Sequence, residues 1–299
     1  MTEILRYTAF SVDPDGGNRA GVVLDASGVD DAAMLAVAAE VGYSETAFVL
    51  PGAEPRTFAV RYFSPLVEVP FCGHATIATA VALGERIGAG PLVFDTPAGR
   101  IELTTGAGTA SLTSVPTSSE PASPDLVERA LRALRWDASD LAWPVHVAHG
   151  GAGHLVVGVG SRERLAKLDY DFDALADVLR SAGLITAHLF HQRAEDVFDV
   201  REPFPVGGVV EDAATGAAAA AFGGYLRELG LVTAPRALVL HQGVDMGRPS
   251  ELLVDVRPDD PRVVVTGAAV PLRVRGPAGA GPHSAPTGPR SGVGPAAQA

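Results

Sequence analysis

Four side chains able to exchange protons sit beside small or apolar neighbours: Glu45 in YSETAFV, Cys72 and His74 in FCGHAT, and Asp212 in EDAATG. Removing a proton from carbon requires a base lifted toward neutrality, and a carboxylate in a cleft that excludes water meets that requirement. Glu45, followed closely by Ala47 and Phe48, is therefore the candidate acid/base; the plainer alternative is an exposed carboxylate at a strand start. His74 opens a helix-like run, where the positive end of the helix dipole disfavours an imidazolium. Asp212 precedes a second such run, where an Asp is an excellent helix cap regardless of function. Cys72 is the single cysteine, which excludes two-thiol chemistry, an internal disulfide and a multi-cysteine metal site. A one-thiol mechanism stays open beside inert packing.

These residues fall in two stretches that read as copies of one element. Arg61, Pro65, Cys72 and Ala78 stand 140 positions before Arg201, Pro205, Asp212 and Ala218. Each copy runs from an Arg-containing β-like segment through a Pro and a polar knot into a helix of small residues. In this ungapped register Asp212 is the counterpart of Cys72. The runs Ala75 to Leu83 and Ala217 to Leu226 lack a polar face, and a helix apolar on all sides is normally buried on all sides. Such small side chains let strands come close, which predicts a curved sheet around a central helix in each half. The unsatisfied N–H groups at the two helix starts would then face one another as an anion site.

The remaining elements fit that plan. Asp30 to Val41 is an amphipathic helix with Asp30 or Asp31 at its start and Gly42 as its stop. Short Val-, Ile-, Thr- and Phe-rich runs separated by Gly, Pro or Asp predict mostly antiparallel strands. Residues 115 to 123, VPTSSEPAS, mark the crossing between halves, and Ser123 with Pro124 starts a second amphipathic helix. The expected architecture is α+β with two pseudo-symmetric lobes, 1–115 and 124–275, each a barrel-like, mostly antiparallel sheet around its central helix. The Gly/Pro/Ala-rich tail 276–299 is expected to be disordered. His146 with His149, and His188 with His191, fall in strand-like runs where their spacing sends them to opposite faces, so they read as structural.

The 299 residues carry a formal charge of −12 and no basic stripe, which argues against nucleic acid or an anionic membrane as partner. No apolar run approaches membrane-spanning length, and one cysteine suits a reducing compartment, so the cytoplasm is expected.

The motifs GNRAGVVLDA (17–26), YSETAFV (43–49), FCGHAT (71–76), EDAATG (211–216) and QGVDMGRPS (242–250) together resemble the phenazine-biosynthesis isomerase-like, or PhzF-like, family. That family shares its two-lobed fold with diaminopimelate epimerase, and the resemblance spans roughly residues 4 to 274. It implies a cofactor-independent, metal-free isomerase that moves a proton between carbons of a small anionic metabolite in the interlobe cleft. The family's acid/base maps to Glu45, and its positioning and shuttling groups map to His74 and Asp212. Gly73, Thr215, Gly216 and Ala217 would bind the substrate, while Arg248 and Ser250 either touch it or pin a turn. Ala213 and Ala217 replace the Pro and Ser of the family's E-D-P-x-T-G-S pattern, which points to a changed substrate rather than an abolished site. The resemblance also implies a homodimer. Two alternatives stand beside it: a single-thiol epimerase-like enzyme using Cys72, and a non-catalytic binding protein on the same fold.

Overall fold

The structure, a computed structural model, describes residues 3–272; the expected tail lies outside them. The first half contributes β1 (Leu5–Ala9), β2 (Asn18–Val23), α1 (Asp31–Val41), β3 (Glu45–Pro51), β4 (Thr57–Phe63), β5 (Glu68–Val69), α2 (Gly73–Ile87), β6 (Gly90–Thr96), β7 (Gly99–Thr105) and β8 (Thr109–Thr113). The second contributes β9 (Ser118–Pro121), α3 (Pro124–Leu134), β10 (His146–His149), β11 (Gly153–Gly158), α4 (Arg162–Ala166), α5 (Phe172–Ser181), β12 (Thr186–Ala194) and β13 (Val197–Arg201). It ends with β14 (Pro203–Phe204), β15 (Val209–Glu211), α6 (Gly216–Glu228), β16 (Arg236–Gln242), β17 (Ser250–Val256) and β18 (Val263–Pro271).

Strands β1-β2-β3-β4-β6-β7-β8-β18 close on themselves through the β1–β18 pairing, and β18-β17-β16-β13-β12-β11-β10-β9 continue as the second curved sheet. The last strand thus hydrogen-bonds into both sheets: Thr113 pairs with Val264, while Val256 pairs with Val263. Most neighbours are antiparallel, but four pairs, β2–β3, β4–β6, β11–β12 and β13–β16, are parallel. Each parallel pair is bridged by helix, as parallel connections require. Two of these crossovers, through α2 and α6, run inside the sheets rather than over them. Residues 118–121, read from their Ser and Pro content as connecting chain, form an edge strand on β10; edge position tolerates such residues.

Both central helices owe their interior position to small side chains. Every residue from His74 to Leu83 is buried, as is every residue from Ala218 to Leu226. A Cβ on Gly223 would lie 2.8 Å from Val256 Cγ2, and one on Gly224 2.5 Å from Thr117 Oγ1, so adding even a methyl there overpacks the barrel at about 1–3 kcal/mol. The interior core is continuous across the halves, from Phe94 and Ile77 to Phe222 and Leu240. Helix α1, capped by Asp30 and stopped by left-handed Gly42, packs outside the first sheet through Met34, Ala38 and Val41. Helices α3 and α5 cover the second sheet.

The internal repeat needs one correction. The repeated arginines are equivalent: Arg61 grips Glu68 with two bonds of 2.7 Å, and Arg201 grips Glu211 at 2.9 and 2.5 Å. Their partners, however, are 143 positions apart, as are the helix starts Gly73 and Gly216. Three extra residues enter between Pro205 and Glu211, where a short 3-10 turn ending at left-handed Gly208 widens the hairpin. The residue equivalent to Cys72 is therefore Thr215, since both hold the N-cap position of their helix; Asp212 lies three residues earlier.

Candidate active site

The two helix N-termini meet head to head. An ideal Cβ on Gly73 would stand 3.7 Å from both Cα and N of Gly216, so the first turns of α2 and α6 come together at the junction of the halves. Neither N-cap side chain makes a capping hydrogen bond, which leaves the first backbone N–H groups free of that partner. Aligned peptide dipoles add partial positive charge from both sides.

Around this point the sequence-predicted residues assemble. Glu45 begins β3, and its Oε2 lies 3.3 Å from His74 Nε2 and accepts from Cys72 Sγ at 3.3 Å. The strand start brings Glu45 to the mouth of the barrel and leaves its side chain 18% exposed, against 7% for His74. Asp212 reaches the same group indirectly. Asn18 Nδ2 donates to Asp212 Oδ1 at 2.7 Å and to Ala214 O at 3.3 Å, and lies 3.2 Å from His74 Nδ1. Thr215 Oγ1 donates to Asp212 Oδ2 at 2.6 Å. Glu45, Cys72, His74, Asp212, Thr215 and Gly216 therefore form one connected constellation, with Gly73 and Ala217 in the facing turns.

Arg248 and Ser250 act at one remove from these groups. Arg248 Nη2 donates to Gly17 O at 2.7 Å, and Ser250 Oγ donates to Arg248 O at 3.2 Å. These bonds tie the 248–250 turn to the left-handed turn at Gly17 that delivers Asn18.

Electrostatics divide the ionisable groups. Burial, followed by the neighbouring Glu45 charge, pushes the Cys72 thiol well above its ordinary range. A protonated thiol fits its role as donor to Glu45. Burial also raises the Asp212 carboxyl, opposed by the charge of His74 and the hydroxyl of Thr215.

Three polar residues escaped the sequence reading of roles. Asn18 links the halves; Ser44 Oγ lies 3.3 Å from His74 Nε2. Gln242 Nε2 donates to Asp212 O at 2.9 Å, and Gln242 Oε1 accepts from Thr215 N at 3.2 Å. All three stand inside recognised motifs, adjacent to Gly or to Glu45; no composition signal separates them from ordinary turn residues. Among the described residues one group has metal-ligand potential, Glu45, Cys72 and His74, whose ligand atoms lie within 4.8 Å of one another. The paired histidines occupy opposite faces as expected, His146 and His188 buried, His149 exposed and His191 intermediate.

Two sheets wrapped around small-residue helices, with their N-termini abutting beside a carboxylate and an imidazole, define the epimerase and isomerase class of this architecture. The chain belongs to the phenazine biosynthesis-like (PhzC-PhzF) family, whose pattern matches residues 7–275. It is an isomerase of that family. It is 33% identical over 253 residues to the trans-2,3-dihydro-3-hydroxyanthranilate isomerase of Pseudomonas chlororaphis, covering 81% of this chain and 86% of that one. A PhzF-family protein from Bacillus anthracis has the same fold, with a TM-score of 0.81 at 24% identity over 91% of this chain and 98% of its own. A protein from Pseudomonas aeruginosa named as a predicted epimerase superposes with a TM-score of 0.78 at 30% identity, over 91% and 98%. Among the described residues no helix is long and apolar enough to cross a membrane.

Proposed function

We propose that this isomerase moves a proton between carbons of a small cyclic carboxylate, with Glu45 as the acid/base and no cofactor. The observation that carries the reading is the state of Glu45. It is partly exposed at the junction, accepts a long hydrogen bond from the Cys72 thiol and lies 3.3 Å from His74 Nε2, so one oxygen edge remains free to take a proton from carbon. The substrate carboxylate lies between the first turns of α2 and α6, held by the amides around Gly73, Gly216 and Ala217 and by Thr215. The proton removed by Glu45 returns to a different carbon of the same ring, so the reaction balances without an external acid or oxidant. His74 and Asp212 position Glu45 and the substrate's polar groups and exchange protons with them. The trans-2,3-dihydro-3-hydroxyanthranilate for which the Pseudomonas relative is named sets the chemical class to screen first; Ala217, which offers no hydroxyl, favours a related acid lacking the group that a Ser there would bind.

A second reading rests on the 3.3 Å approach of Cys72 Sγ to Glu45: a one-thiol epimerase in which Cys72 is the base. Its raised pKa weighs against this, because the thiol must ionise beside a carboxylate. On our reading the division into 1–115 and 124–275 places Glu45 and His74 on one lobe and Asp212 on the other. The free thiol supports a reducing, cytoplasmic setting, and a homodimer is proposed by family alone.

The test is turnover in deuterium oxide with a panel of cyclic amino acids and hydroxyanthranilate-like acids. Glu45→Gln is expected to fold and to lose deuterium incorporation into product, whereas Cys72→Ser retains most of it. Full exchange by the Glu45 variant ends the assignment; loss confined to Cys72→Ser transfers the role to the thiol.

A further inference from the structure

Phe10, the residue after β1, stands in a backbone conformation that bulky side chains rarely occupy. Its φ is 63°, in the left-handed region, where Cβ crowds the following carbonyl, and the side chain is fully buried. Such a conformation persists only where the surrounding structure fixes it. Here the backbone is held from two strands: Phe10 N donates to Ala268 O of β18 at 2.6 Å, and Phe10 O accepts from Glu251 N of β17 at 2.8 Å. A second local cost serves the same ring. Gly267 lies inside β18, where a glycine weakens the strand and marks a close approach; a Cβ there would stand 2.3 Å from Phe10 Cδ1 and 2.6 Å from Cε1.

Both features aim the ring at one place, the start of α6. The nearest atom that a Cβ on Gly216 would meet beyond its own helix is Phe10 Cζ, at 3.6 Å, whereas Gly73 approaches Gly216 at its Cα and N. The first turn of α6 is thus held between α2 and the tip of the Phe10 ring, and no side chain caps it. We propose that Phe10 is a positioning residue: its ring braces Gly216 and keeps the first-turn amides of α6 set against those of α2, which fixes the affinity for the substrate carboxylate.

The brace joins the two halves, because β1 belongs to the first sheet and α6 runs inside the second. A phenylalanine that only filled core space would need neither a left-handed backbone nor a glycine in the facing strand. The inference rests on the carboxylate placement proposed above and is independent of which group acts as the base. Phe10 is fully buried, so it acts through Gly216 and not on the substrate itself.

Leucine has the same unbranched Cβ and meets the same backbone strain but ends short of the Cζ position, which methionine reaches. In the substrate-free protein, relaxation dispersion of the Gly216 and Ala217 amides should therefore appear in Phe10→Leu and be absent from the parent and from Phe10→Met. With the panel acid that exchanges fastest in deuterium oxide, Phe10→Leu should raise KM about tenfold with kcat little changed, and Phe10→Met should recover most of the affinity. Gly267→Ala pushes the same ring from β18 without altering it; it should reproduce both effects and replaces Phe10→Leu if that variant does not fold. A folded Phe10→Leu with amides as quiet as the parent's overturns the proposal, since the ring then only fills space. Mobile amides with an unchanged KM overturn it too, and put the fault in the carboxylate placement between α2 and α6 rather than in the brace.

Discussion

Gly73→Ala separates stability from catalysis at one atom. Most glycines of the central helices have no room for a side chain, but the Gly73 Cβ position meets nothing closer than 3.7 Å, ordinary contact with Gly216 Cα and N. Gly73 lies in the first turn of α2 with no left-handed backbone, so alanine adopts its conformation without strain. Restricting the unfolded chain should then stabilise the protein by about 0.4–1 kcal/mol, a rise of roughly 1–3 °C in Tm. The new methyl nevertheless points into the space between the two helix starts. A carboxylate oxygen must come within about 2.9 Å of the amides it accepts from, which a carbon wedged against Gly216 prevents. Losing one charge-assisted hydrogen bond costs about 1.5–3 kcal/mol, equivalent to roughly a 10- to 150-fold fall in kcat/KM, borne mainly by KM. Calorimetry and steady-state kinetics on the same preparation read both quantities. A variant more stable than the parent with unchanged KM refutes the placement of the substrate carboxylate between α2 and α6.

Asn18→Leu removes the amide that joins Asp212 to the His74 side, so kcat should fall by about 10- to 100-fold while far-ultraviolet circular dichroism is retained; wild-type turnover would show that the link is structural only. His154, buried beside Thr186 at 2.6 Å, is pushed down to about 3 by desolvation and then by the nearby His188. The unfolded chain takes up this proton below its ordinary pKa of 6.5 and the folded chain does not until about pH 3. Stability is therefore present above pH 6.5 and drains away as pH falls toward 3, by an upper bound of about 5 kcal/mol. Glu202, raised by burial, works in the opposite direction. His154→Gln should accordingly flatten the fall of urea midpoint between neutral and acid pH, and an unchanged slope would remove His154 as its source.

The parts of the structure visible in sequence were those written in local pattern. The Asp30 cap, the Gly42 stop and the Met34–Ala38–Val41 stripe lie within one stretch of chain, and α1 follows them closely. All-round smallness placed α2 and α6 inside their sheets. What local pattern hides is pairing at long range. Ser118–Pro121 has no strand-like composition and becomes a strand only because β10 offers it an edge. Asn18 acquires its role from partners 56 and 194 positions away. The three-residue widening of the second hairpin is invisible to an ungapped comparison, because Pro and Gly recur on both sides of it; the error surfaces only when Arg61–Glu68 and Arg201–Glu211 are superposed as bonds.

Correcting that register changes what the two halves contribute. Cys72 and Thr215 are equivalent N-cap residues, and each turns its donor away from its own helix toward a carboxylate: Cys72 to Glu45 and Thr215 to Asp212. The consequence on both sides is a helix start whose amides remain available to an anion. The carboxylates, however, are held unequally. Asp212 has one oxygen on Thr215 at 2.6 Å and the other on Asn18 at 2.7 Å, with Gln242 gripping its backbone, whereas Glu45 receives a weak sulfur donor and a 3.3 Å imidazole contact. A base must give up its existing hydrogen bonds to accept a proton from carbon, and the side that gives up less reacts more readily. On the proposed mechanism that inequality favours transfer by Glu45, with Asp212 the more firmly held of the two carboxylates. The pseudo-twofold arrangement thus holds its two carboxylates unequally, one loosely and one firmly, within a single repeated design.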